Sequence, residues 1–112
     1  MTNRFPTGGG GNKQEQDELM DLYLKDPRAM VTYTIDWGGA YLGGLSIVES
    51  GWEISPVETG GLELASQSHD PRSTAASVGG GVAGHVYRLA NQVVLSDGRS
   101  DVRSIALRVE ER

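Results

Sequence analysis

Hydrophobic and polar residues alternate along most of this chain, and the clearest stretch begins at Val31. Val31, Tyr33, Ile35 and Trp37 share one side of a two-residue period, with Thr32, Thr34 and Asp36 on the other. That is the pattern of a half-buried strand rich in β-branched and aromatic residues. Residues 45–55 repeat it less strictly: Val48, Trp52 and Ile54 share a face if the chain bulges or bends at Gly51. Shorter strands are expected around Leu62 and Leu64, reaching Ala65, and over 73–78, with Asp70-Pro71 as the turn between them. Residues 85–95 place Tyr87, Leu89, Asn91, Val93 and Leu95 on one face, and residues 102–109 set Ile105, Leu107 and Val109 against Ser104, Ala106 and Arg108. Between these last two runs lies Ser96-Asp97-Gly98-Arg99. An Asp-Gly turn flanked by alternating runs predicts an antiparallel hairpin.

The beginning of the chain has a different texture. Residues 1–12 are polar and carry the run Gly8 to Gly11, too little apolar surface to offset ordering, so a flexible arm is expected there. Residues 13–25 contain good helix formers, with acids ahead of Leu19, Met20, Leu22, Tyr23 and Leu24. Acids suit a helix N-terminus, and Asp26-Pro27 stops a helix because the residue before proline avoids the α region. The expectation is a short amphipathic helix, marginal by itself, whose apolar side docks either on its own domain or on another subunit. Leu19, Met20, Leu22 and Tyr23 are the candidate contact residues.

Sixteen glycines among 112 residues is about twice the usual share of roughly 7%, and their clusters punctuate short strands. The predicted fold class is all-β: an immunoglobulin-like antiparallel β-sandwich of about seven short strands over residues 26–112, preceded by the arm and short helix of residues 1–25. Its expected core is Tyr33, Ile35, Trp37, Trp52, Tyr87, Leu89, Ile105 and Leu107. Trp52 stands where such domains often bury a tryptophan. Tyr87 stands where a tyrosine corner would lie, with Leu89 in the place of the second cysteine. Both aromatics also fit as ordinary core residues of another sandwich.

Composition narrows the function classes. The chain has no cysteine, so disulfides, thiolate metal sites and cysteine nucleophiles are excluded. A formal charge of -5 has the wrong sign for neutralising phosphates, which argues against nucleic acid and anionic membrane as partners. No apolar run approaches the roughly 18 residues of a membrane span, and no secretory signal is evident, so synthesis in a cytoplasm is expected. His69 beside Asp70 fits a solvated turn better than a nucleophile triad, there being no Gly-x-Ser-x-Gly elbow. His85 has no partner at metal-ligand spacing, and Glu49, Glu53, Glu58 and Glu63 are scattered carboxylates. Gly79-Gly80-Gly81 lacks the Lys-Ser/Thr of a phosphate loop. No catalytic residue, cofactor or metal is assigned. Arg99 and Arg103 belong to a mixed-charge terminal run that reads as a solvated face or, alternatively, as interface anchors.

Several stretches together resemble a family. Lys25-Asp26-Pro27 leading into Val31-Thr32-Tyr33-Thr34-Ile35-Asp36-Trp37, then Gly79-Gly80-Gly81-Val82-Ala83-Gly84-His85-Val86-Tyr87, then Asn91, the Ser96 to Asp101 turn and the run Ser104 to Arg112 are similar to the small structural proteins of tailed phages of the fibre-tail adaptor type. The resemblance covers about residues 25–112. It implies a non-enzymatic virion component with an immunoglobulin-like fold, made in the host bacterial cytoplasm. Its partners would be other virion proteins (portal or connector, tail, fibre or major capsid protein), met in multiple copies within a symmetric assembly. Capsid decoration and a carbohydrate-binding adhesion module, with Trp37 or Tyr41 in an aromatic platform, are the alternatives.

Overall fold

The computed structural model describes residues 21–111. Among them, strands β1 (Leu22–Lys25), β2 (Val31–Asp36), β3 (Ile47–Ser55), β4 (Leu62–His69), β5 (Ser73–Gly80), β6 (Val86–Leu95) and β7 (Ser100–Val109) follow in order, with one helical turn, α1 (Gly39–Leu42), after β2. They form a four-stranded sheet in the order β1-β7-β6-β3 and a three-stranded sheet in the order β2-β5-β4. Every pairing is antiparallel except β1 with β7, which is parallel. The Asp-Gly turn joins β6 to β7 with Leu89 opposite Ile105 and Asn91 opposite Arg103.

The alternating apolar residues meet between the sheets. Tyr33, Leu62, Val78, Tyr87, Leu89, Ile105, Leu107 and Val109 make one cluster, and Trp37, Leu42, Ile47, Val93 and Leu95 a second. Ile35 packs against both. Each fully buried aliphatic or aromatic side chain contributes roughly 1.5–3 kcal/mol relative to exposure.

Three sequence expectations are corrected. The helix over 13–25 lies outside the described residues up to Met20, and its last residues form strand β1 instead. The reason is a two-residue alternation hidden in Leu22-Tyr23-Leu24-Lys25. Tyr23 and Lys25 turn toward the three-stranded sheet while Leu22 and Leu24 face outward, and β7 supplies backbone partners that an isolated short helix lacks. The sandwich therefore takes in residues before 26. The irregularity of β3 falls between Ile47 and Glu49, not at Gly51. A one-residue insertion there turns Ile47 inward and leaves Val48 half-exposed, while Trp52 and Ile54 keep the inner face. Finally, the fully buried tryptophan is Trp37. Trp52 is only partly buried, because β3 is a sheet edge and one flank of the ring has no neighbouring strand.

Candidate interaction surfaces

The two sheets present different outer faces. Since Ile105, Leu107 and Val109 point into the core, the register of β7 places Leu22 beside Ala106 and Leu24 beside Arg108 on the outside. On the other flank of β7, Val86 stands opposite Arg108 and Arg88 opposite Ala106. Leu22 is 60% exposed, Leu24 49%, Val86 49% and, further along β7, Val102 45%. Partly buried Ala90, Val94, Ser104 and Ala106 lie among them. Arg88 donates to Ser104 Oγ at 3.0 Å, and Arg108 pairs with Glu110 at 2.6 Å. The outer face of the three-stranded sheet is instead rich in hydroxyls, with Thr32 and Ser77 hydrogen-bonded at 2.6 Å beside Thr34 and Ala75. Exposed aliphatic side chains thus gather on the β1-β7-β6 side, with Arg88 and Arg108 among them.

The predicted contact residues separate accordingly. Leu19 and Met20 lie outside the described residues. Leu22 is on the apolar face. Tyr23 points the other way, its ring 5.2 Å from that of Tyr33, so it packs on its own domain. Arg99 caps the hairpin, its Nε 2.8 Å from Asp97 Oδ2. Arg103 turns inward at the α1 end of the sandwich, its guanidinium 4.3 Å from the centroid of the Trp37 ring and 4.9 Å from that of Tyr41. Burial lowers its pKa, opposed by Tyr41, Asp101 and Asp36. The Tyr41 hydroxyl donates to Asp101, and burial together with that bond pushes its pKa up to about 12. Arg103 thus fastens β7 to the segment after β2 by a cation–π stack.

At the opposite end, Tyr87 makes a tyrosine corner. Its hydroxyl accepts the N–H of Val82 at 2.9 Å and donates to Glu58, and His85 Nδ1 lies 2.9 Å from the same carboxylate oxygen. The hydrogen bonds from Tyr87 and then His85 hold the Glu58 carboxyl below its ordinary 4.5. A carboxylate with a depressed folded-state pKa stabilises the fold above its unfolded pKa and loses that contribution as pH falls through the folded value. Tyr87→Phe is therefore expected to lower stability at neutral pH, by about 1 kcal/mol for the Val82 bond, with the contribution of the Glu58 bond lost as well. It should also flatten the acid limb of the stability curve below 4.5; urea titrations across that range check both. Beside this corner Lys25, 1% exposed, donates from Nζ to the carbonyls of Gly80 at 2.8 Å and Asp26 at 2.9 Å. Burial lowers its pKa, partly opposed by Asp26.

Between the two ends Asn91 binds everything its amide can reach. Its Oδ1 accepts Trp37 Nε1 at 3.0 Å and Thr74 Oγ1 at 2.7 Å, while Nδ2 donates to Ser50 Oγ at 2.9 Å and to the Gly51 carbonyl at 3.0 Å. His69 and Asp70 form a turn: Asp70 Oδ1 accepts the N–H groups of Arg72 and Ser73, and His69 Nδ1 lies 3.3 Å from the Asp70 carbonyl. Among the described residues no three His, Cys, Asp or Glu side chains gather as a metal site.

Residues 25–108 match the family described as podophage GP4 fibre-tail adaptor protein gp77. The chain belongs to that family. Among solved structures, the solution structure of the PKD domain from KIAA 1837 protein is similar, at 22% identity over 94% of each chain with a TM-score of 0.54. That likeness carries the immunoglobulin-like fold alone. No curated protein matches. In this member of the adaptor family, the stretches that carry the resemblance meet in space. Lys25 of the Lys-Asp-Pro start bonds to Gly80 of the glycine segment, Val82 of that segment bonds to Tyr87, and Asn91 holds Trp37. The sequence pattern does not mark Glu58 or the burial of Lys25; a lysine directly before Asp-Pro reads as exposed until its carbonyl partners are known.

Proposed function

We propose that this protein is a non-enzymatic structural component of a tailed-phage virion that joins the tail to fibre or neighbouring virion proteins, present in multiple copies. Membership of the fibre-tail adaptor family supports the adaptor role. The observation that carries the mechanism is the strand β1, which leaves Leu22 and Leu24 exposed on an outer face that also carries Ala106, Val86 and, further along β7, Val102. The rigid sandwich sets position, the apolar face and the preceding segment make the contact, and symmetry multiplies modest affinities. A carbohydrate platform has less support. Trp37, Tyr33 and Tyr87 are buried, Trp52 packs on the core, and Tyr41 is engaged by Asp101 and Arg103.

The test is binding of the full chain to purified tails assembled without it. A Leu22→Asp, Leu24→Asp double variant is expected to weaken binding about a hundredfold, two interface anchors being lost together. Thr34→Asp on the hydroxyl face is expected to leave binding within about twofold. Equal binding by all three folded proteins would sink the assignment of this face.

A further inference from the structure

The described strands leave four sheet edges, β1 and β3 in one sheet and β2 and β4 in the other. Three of them carry the features that keep edges from pairing with other chains. β1 is four residues long, β3 has its irregularity and carries Glu49 and Glu53, and β2 ends in Asp36, whose carboxylate is turned back onto the N–H of Gly38. β4 is different. Its irregularity lies between Leu64 and Ser66, and beyond it Ser66-Gln67-Ser68-His69 run on in regular register, exposed and with neither acid, lysine nor proline, in a chain whose formal charge is -5.

The register tells which backbone groups are available. Asp70 N–H bonds to the Ser73 carbonyl to close the β4–β5 turn. With Ser68 opposite Ala75 and Ser66 opposite Ser77, the alternation of an antiparallel ladder assigns the amides of Ser66 and Ser68 to β5. It turns the N–H and C=O of Gln67 and His69 to the outer edge. We infer that this edge pairs with the same edge of a second copy of the chain, antiparallel about a two-fold axis at Gln67, making one six-stranded sheet from two three-stranded ones.

The occupant follows from self-complementarity. Antiparallel pairing centred on Gln67 sets Gln67 against Gln67 of the second copy and Ser66 against Ser68, with His69 reaching the irregularity at Ala65, so no two like charges face each other and the serines form cross-strand hydroxyl pairs. An isologous contact of this kind closes on itself instead of growing into a filament. It uses a surface distinct from the apolar face of the other sheet, so it stands or falls independently of the adaptor reading.

Sedimentation of the full-length protein over a wide concentration range tests it. The wild type is expected to show a reversible dimer. Gln67→Lys and Gln67→Glu each put like charges directly across the axis and are expected to weaken the dimer about tenfold or more. Because the side chain is exposed, circular dichroism should show both variants folded. Mixing the two variants should restore the dimer, since lysine then faces glutamate. A wild type that stays monomeric throughout would overturn the inference, as would a dimer indifferent to both substitutions or one that the mixture fails to restore.

Discussion

Asn91→Leu is expected to destabilise the domain by about 3 to 5 kcal/mol, roughly half of what a small domain possesses. Leucine keeps the branched shape of asparagine and is larger, so the effect is not a cavity. It arises because the Trp37 indole N–H, the Thr74 hydroxyl, the Ser50 hydroxyl and the Gly51 carbonyl all lose their partner at once. An unmet buried polar group costs about 1–3 kcal/mol, and Asn91 and Thr74 are both buried. Asn91→Asp separates this explanation from simple packing. Its carboxylate can still accept from Trp37 and Thr74 but sets an anion against the Gly51 carbonyl, so burial should raise its folded-state pKa. A raised pKa means that the variant is most stable below the unfolded carboxylate value and loses stability as pH rises through the folded one. Chemical denaturation of the two variants over the acid range reads the difference. If Asn91→Asp shows no gain relative to Asn91→Leu as pH falls, the bonding account is wrong.

Gly81→Ala is expected to cost about 2 to 4 kcal/mol, from two sources that can be measured apart. Gly81 has φ +104°, a region that side chains disfavour, and an added Cβ would lie 2.6 Å from Val109 Cγ2 in a residue with no exposed surface. Gly84 has φ +90° but no atom within 4 Å of an added Cβ. Gly84→Ala therefore carries the conformational cost alone, about 1 kcal/mol. Thermal denaturation of both variants should rank Gly81→Ala as the worse by the margin of the Val109 contact. Equal losses would mean that β7 shifts freely and the core near Val109 is looser than its packing implies.

How much of this was legible in the chain depends on distance in sequence. β2, β6 and β7 could be read because each buries one face and so alternates over at least six residues. β1 could not, because four residues with leucine on the outside give no contrast between faces and the acids before it favour a helix. The position of the β3 irregularity was equally hidden: Gly51 invites one, but the fit of Ile47 opposite Leu95 decides it. The apolar outer face was out of reach for a different reason. Leu22, Val86 and Ala106 are unremarkable singly and become a surface only when the register of three strands brings them together. Arg103 shows the converse, a charged residue on an alternating strand whose surroundings turn it from a solvent-facing group into part of the aromatic packing.

The parallel pairing of the first and last described strands also governs how the domain carries load. The Asp21 carbonyl accepts the N–H of Ala106 at one end of β1, and the Lys25 carbonyl accepts the N–H of Glu110 at the other, at 2.8 and 2.9 Å. Because the strands run the same way, tension applied between the chain before β1 and the chain after β7 pulls them past each other along their length. The bonds joining them are then strained in shear, all together, instead of being unzipped one by one. Tension between an attachment at the leading segment and one at the trailing segment would meet the domain in its mechanically strong direction.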